Sequence, residues 1–291
     1  MALQRDRIYS LVIGNLQNGE GLKISDLQIT FQISKSASNK DRPDRCRIKI
    51  YNLSEVSLGK FKSEYLSAEL KVGYRETGLH TLYSGDITYF RTKKEGPDRI
   101  TELDIGSSYT ALHQTDISEV VPSGSTVQQV LERIRAAMPD IAKGVYTGTG
   151  ITQQATYGYP LSGTPKQMLD ELAESYDIEW RIDSKVLYVN DAKGHTGNEV
   201  DAPIISPTTG MIESPYYTSG DRRRHKKDPA KKEGIEFICL INPTIKPGSL
   251  VVLRDTGDIS GPFKVDSVEF HGDYRGDTWD CKVYCTGKIE K

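Results

Sequence analysis

Long apolar runs are missing from this 291-residue chain. The longest, such as Leu250 to Leu253, fall far short of the roughly 20 residues a helix needs to span a bilayer. Met1 to Asn15 holds no apolar core of signal-peptide length. An excess of one charge is missing too: 38 Lys and Arg stand against 40 Asp and Glu. Dedicated nucleic-acid binders carry a basic excess, so that class is disfavoured. These absences predict a protein made and folded in the cytosol, unless a dedicated machine exports it.

Cysteine is scarce: Cys46, Cys239, Cys281 and Cys285. The last two stand four apart, but Trp279, Cys281, Val283 and Cys285 alternate as one face of a strand. That spacing puts their Cα atoms roughly 13 Å apart, whereas a disulfide needs about 4.4–6.8 Å. Buried free thiols are the expectation. The histidines His80, His113, His195, His225 and His271 are scattered near expected turns and strand ends. GxSxG, HExxH, CxxC and the phosphate-binding Walker loop are all absent. Gly148-Thr149-Gly150 lacks the third glycine of a dinucleotide site and reads as a turn. No catalytic residue, cofactor or metal is expected.

What is present is alternation. Leu27, Ile29, Phe31 and Ile33 share one face of a strand, with polar residues between them. Cys46, Ile48 and Ile50 repeat the pattern, as do Ala68, Leu70, Val72 and Tyr74. Tyr83, Ile87 and Tyr89 follow, then Leu103 and Ile105. Turn residues separate these runs at Asn39 to Pro43, Glu76 to Gly78 and Glu95 to Asp98. Five or more short strands without a good helix pattern predict a small barrel or sandwich over residues 1–117.

The period then changes. Val127, Val130, Leu131, Ile134 and Met138 recur at helical spacing, with Ser125 and Gln128 spaced as a capping box and Pro139 as the stop. A second helix carries Met168, Leu169, Leu172, Ala173 and Tyr176. Thr164 is its N-cap, Pro165 its first residue, and Gln167 closes the box. Ile178, Trp180 and Ile182 alternate, as do Leu187 and Val189 after a turn at Asp183-Ser184. Residues 118–192 thus read as a small α+β module.

The last region, 193–291, is β again after a polar linker at Lys193 to Asp201. Ile235, Phe237, Cys239 and Ile241 alternate. Phe263 and Val265 share a phase from which Val268 and Phe270 are shifted by one, which predicts a bulge near Asp266-Ser267. The stretch 218–234 carries Arg222, Arg223, Arg224, Lys226 and Lys227 and almost nothing apolar. It reads as a mobile loop and a candidate electrostatic contact with nucleic acid, a partner subunit or a membrane. Among the carboxylates, Asp177, Glu179 and Asp183 surround Trp180 and are the best candidates for paired acid–base chemistry. Glu179 and Asp183 alternate away from the apolar face, so a solvated strand face is expected. Asn52-Leu53-Ser54 matches a glycosylation sequon, which a cytosolic protein would leave unmodified.

Ile48-Lys49-Ile50-Tyr51-Asn52-Leu53-Ser54, then Gly73-Tyr74, then Leu82 to Ile87, resemble the signature of bacteriophage tail and baseplate hub proteins. Gly163-Thr164, Leu169, Leu172-Ala173 and Trp180 are similar to the family's helix and hairpin. Leu240 to Pro243, Pro247-Gly248, Gly261, Phe263, His271-Gly272-Asp273 and Trp279 continue the order, so the resemblance spans most of residues 22–286. It implies two tail-tube-like β-barrels flanking the α+β module, trimerisation, and a structural role matching a six-fold tube to a three-fold spike. The implied partners are further copies of the chain, the tail tube protein, a spike or tip protein, baseplate wedge proteins and the tape-measure protein. The implied place is the virion tail baseplate, assembled in the host cytoplasm. Two other readings stay open: a tail-tip peptidoglycan hydrolase, and a carbohydrate- or DNA-binding β-barrel module.

Overall fold

The computed structural model describes residues 6–15, 20–40, 43–61, 67–154, 158–192, 194–196, 201–218 and 234–288. The N-terminal β region comprises β1 (Arg7–Asn15), β2 (Glu20–Ile24), β3 (Ile29–Ser36), β4 (Arg45–Tyr51), β5 (Ser67–Tyr74), β6 (Gly78–Glu95) and β7 (Asp98–Gly106). A short helix, α1 (Glu55–Phe61), follows β4. The C-terminal β region comprises β13 (Ile204–Ile205), β14 (Met211–Thr218), β15 (Gly234–Leu240), β16 (Leu250–Leu253), β17 (Gly261–Asp273) and β18 (Trp279–Lys288).

These two regions share a single sheet. Its hydrogen-bonded path runs β14-β15-β18-β17-β3-β4-β7-β6-β5-β1-β2, with β13 and β16 joined to it through β17. The bridge between the regions is the antiparallel pairing of β17 with β3, from Ser267 opposite Ser36 to Asp273 opposite Thr30. The expected pair of closed barrels is not what this ladder shows. Among the described residues the path stays open, with β14 bonded only to β15 at one end and β2 only to β1 at the other.

One contiguous core backs the sheet and draws on both regions. Leu11, Ile33, Ile48, Leu70 and Leu103 from the first pack with Phe237, Val265, Phe270, Trp279 and Val283 from the second. Each such side chain contributes about 1.5–3 kcal/mol by leaving water. The bulge expected near Asp266 is present: the β17–β18 register slips between Val265 and Ser267. It turns Val265 and Val268 to the same buried side. Motif glycines mark close backbone approaches. A Cβ on Gly73 would fall 1.8 Å from the Gly78 carbonyl oxygen, and one on Gly272 would enter the Phe31 ring. Phe31 in turn meets Trp279 edge-on at 5.4 Å.

The insert contains α2 (Tyr109–His113), β8 (Ile117–Val121), α3 (Val127–Ala137), β9 (Ala142–Tyr146), β10 (Tyr159–Gly163), α4 (Pro165–Tyr176), β11 (Ile178–Asp183) and β12 (Val186–Asp191). A separate core, from Ala111 to Val189, fills it. The cap of α4 is as expected, with Thr164 and Gln167 bonding reciprocally and Pro165 in the first turn. The cap of α3 lies one residue later than expected, at Thr126 with Gln129. Thr126 holds the extended backbone that a capping residue needs.

Candidate functional site

Strand β11 joins the insert to the β body. Ile178, Trp180 and Ile182 enter the insert core. The alternate residues, Glu179, Arg181 and Asp183, turn towards the body. They do not form the solvated face expected for Glu179 and Asp183. Asp183 is buried and accepts from Lys35 Nζ of β3 at 2.7 Å. Glu179 accepts from Lys264 Nζ of β17 at 2.9 Å. Arg181 lies 4.3 Å over the Tyr188 ring and donates to Thr196 Oγ1 at 3.2 Å. Thr196 donates through both its backbone N–H and its hydroxyl to the Gly248 carbonyl, at 2.7 and 3.1 Å.

Asn39, in the turn after β3, completes the joint. Its backbone N–H donates to the Trp180 carbonyl at 3.0 Å, and its Oδ1 accepts from the Ile182 N–H at 2.8 Å. It thereby supplies the edge of β11 with bonds that a neighbouring strand would give. Its Nδ2 donates to Asp44 Oδ1 at 3.0 Å, and the Ser36 N–H donates to the same oxygen at 3.0 Å.

Burial pushes the Asp44 carboxyl up to about 7, against the pull of Lys35. Burial also opposes ionisation of Asp183, but the Lys35 ammonium, helped by Arg181 and Lys246, holds Asp183 below the usual carboxylate range. Asp183 is held ionised by an ammonium group, and Trp180 Nε1 donates to Asp170 at 3.1 Å, not to a member of the candidate triad. Asp177 caps α4 in the left-handed conformation.

Beside the joint, a cleft of about 1210 Å³ separates the outer faces of β4, β6 and β7 from α2 and the turn before β9. Its walls carry both signs. Arg47 grips Asp104 at 2.7 and 3.1 Å, while Asp86 accepts from the Thr110 N–H at 3.1 Å. The outer face of the sheet is likewise laced by cross-strand pairs, including Arg91 with Glu102 and Lys282 with Glu236. At the β14 end, Ile212, Tyr216 and Tyr217 are exposed on a strand that also contains Pro215. Proline in an edge strand removes one donor from the free edge.

Arg222, Arg223, Arg224, Lys226 and Lys227 lie outside the described residues. The described residues on either side, Thr218 of β14 and Gly234 of β15, pair with each other. The Gly148-Thr149-Gly150 turn is occupied by the chain itself: Asp191 accepts from the Thr149 and Gly150 N–H groups at 2.8 and 3.0 Å. No cluster of three or more metal-ligating side chains occurs among the described residues. His271 Nδ1 lies 3.5 Å from Asp280, and His113 packs against Tyr109.

The sequence profile of the family described as Baseplate hub gp41 matches residues 12–285. The chain belongs to the baseplate hub gp41 family. That places it among phage tail proteins, in the virion. Solved structures share the fold at low identity. The tail protein of Neisseria meningitidis MC58 superposes with a TM-score of 0.66 at 14% identity, covering 97% of each chain. The 43 kDa tail protein of prophage MuSo2 from Shewanella oneidensis gives 0.64 at 10% identity, covering 97% of this chain and 98% of that one. A chain of the Francisella PdpA–VgrG complex gives 0.62 at 6% identity, covering all of this chain and 60% of that one. No curated protein sequence matches this chain.

The hub family signature now has physical content. In Ile48 to Ser54, Asn52 takes a left-handed turn and bridges to Asp98 and the Arg99 N–H. Ser54 caps α1 by accepting from the Ser57 N–H at 3.2 Å.

Proposed function

We propose that this hub protein works without catalysis, as a trimer that joins a six-fold tail tube to a three-fold spike. In this reading residues 1–117 and 193–291 are two tube-subunit-like units, and 118–192 is the insert that braces them. Three copies then present six such units. The observation that carries the proposal is the continuous ladder bridging the two β regions through β17 and β3, with, among the described residues, an unpaired edge at each end. An unpaired edge is a template for a further chain, and a ring of identical copies consumes every such edge.

The partners in this reading are other copies of the chain, the tube protein, a spike or tip protein, wedge proteins and the tape-measure protein. A chain of the same fold in the PdpA–VgrG complex supports a spike-type partner. The basic segment with Arg222, Arg223, Arg224, Lys226 and Lys227 is a salt-sensitive contact with an anionic partner surface, and assembly takes place in the host cytoplasm. Light scattering of the purified chain at low and high salt, alone and with tube and spike proteins, tests the proposal. A trimer or a multiple of three is expected. A monomer that stays monomeric with both partners present sinks it.

A further inference from the structure

We propose that Cys239 and Cys281 are a latent cross-strand disulfide, closed by exchange with a low-molecular-weight disulfide. The two residues are directly opposed in the β15–β18 register. Their sulfurs stand 3.4 Å apart, and both side chains point into the core. Opposed residues in an antiparallel pair have Cα atoms about 4.5–5.5 Å apart, inside the range a disulfide spans. Closure therefore asks for side-chain rotation and no movement of either strand. The other two thiols are placed differently: Cys285 faces Ile235, and Cys46 faces Ile33 and Ile105.

The hydrogen bond between the two thiols, together with burial, holds Cys239 well above the usual thiol range. Cys239 thus stays protonated and inert while the sheet is closed. Access comes from the end of the ladder. Cys239 is the penultimate residue of β15, and β14 is stitched to β15 irregularly there, with a register slip between Met211 and Glu213. When this end opens, one Cys thiolate attacks a sulfur of the small disulfide and expels one small thiol. The second Cys thiolate attacks the protein-bound sulfur of the mixed disulfide and expels the other. Two protein thiols become one S–S bond, the reagent disulfide becomes two thiols, and the two protons pass to the leaving sulfurs. The bond would clasp β15 to β18 across a 42-residue separation, restraining the edge that carries β14.

The test is to incubate the full chain with oxidised glutathione, with and without sub-denaturing urea. Free thiols are then counted after denaturation and unreduced peptides mapped by mass. The expected result is a fall from four free thiols to two, with one linked pair, Cys239–Cys281. The thermal midpoint should rise by several degrees, and dithiothreitol should reverse the rise. Cys285→Ser should leave the bond intact, and Cys281→Ser should abolish it. Four free thiols after incubation in urea, a link between any other two cysteines, or a persistent glutathione adduct on either residue would overturn the proposal.

Discussion

The β body holds its core with residues distant in sequence, whereas the insert holds its own with residues close together. Leu11 and Val283 share the first core, and β3 reaches β17 across more than two hundred residues. The second core is complete between Ala111 and Val189. Between them lies a joint of a third kind, made of Lys35 with Asp183, Lys264 with Glu179, and the bonds of Asn39. Apolar burial is non-directional, so it would tolerate many seatings of the insert. A buried ion pair is costly to leave unmade, so it favours one seating even where it adds little net stability. This contrast predicts that the cores supply the stability of each unit and the joint their relative orientation.

The sharpest way to break this contrast is to damage one core and watch the other. Phe237→Ala should cost about 3–5 kcal/mol, and Leu169→Ala about 2–5 kcal/mol. Hydrogen exchange by residue should show Phe237→Ala loosening β3 and β4 along with β15, because the two β regions share one core. Leu169→Ala should loosen the insert first. Uniform loss of protection in both variants would mean the two cores are one cooperative unit.

Lys35→Met addresses the joint. It leaves the Asp183 carboxylate buried without its ammonium, at a cost of about 3 kcal/mol. Lys35→Met combined with Asp183→Leu should recover most of that loss. Denaturant midpoints of the two variants give the comparison, and a double variant no better than the single one would show that the pair is not what seats the insert.

Asp44 makes the same joint pH-dependent. Its carboxyl ionises near the ordinary 3.8 in the unfolded chain but at about 7 in the folded one. The folded state therefore holds an extra proton between those values, and this contribution to stability fades as pH rises from about 4 through about 7. Asp183, whose carboxyl is depressed, works the other way: its contribution is present above 3.8 and fades as pH falls through its folded value. Asp44→Asn should remove the loss at rising pH, so its gain in stability should be larger near pH 8 than near pH 5 by about 1–3 kcal/mol. Urea titrations at the two pH values check this, and an equal shift at both would rule out the titration of Asp44 as the cause.

Legibility in the sequence followed the same divide. The insert's local signals could be read directly: the cap at Thr164, the helix pattern after it, and the alternation of β11. The bulge in β17 was legible because it shifts an apolar phase within one strand. Strand β1 was not, because Ile8, Tyr9, Leu11, Val12 and Ile13 place apolar residues on both faces and erase the alternation. The faces of Glu179 and Asp183 followed from the strand period, but what covers them depends on β3 and β17, which lie far away in the chain. The pairing of β15 with β18, which brings Cys239 to Cys281, is invisible for the same reason.

The smallest effect offers the most selective probe of this divide. Thr164 Oγ1 accepts from the Gln167 N–H at the start of α4, while Gln167 Oε1 accepts from the Thr164 N–H. Thr164→Ala removes the first bond and should cost about 1 kcal/mol. The site is on the insert's surface and touches neither the joint nor the body core. If the insert is an independently closed unit, the loss appears as faster exchange in α4 and β11 alone. If the loss appears equally in β3 and β17, the polar joint carries stability as well as orientation, and its ion pairs become part of one shared core.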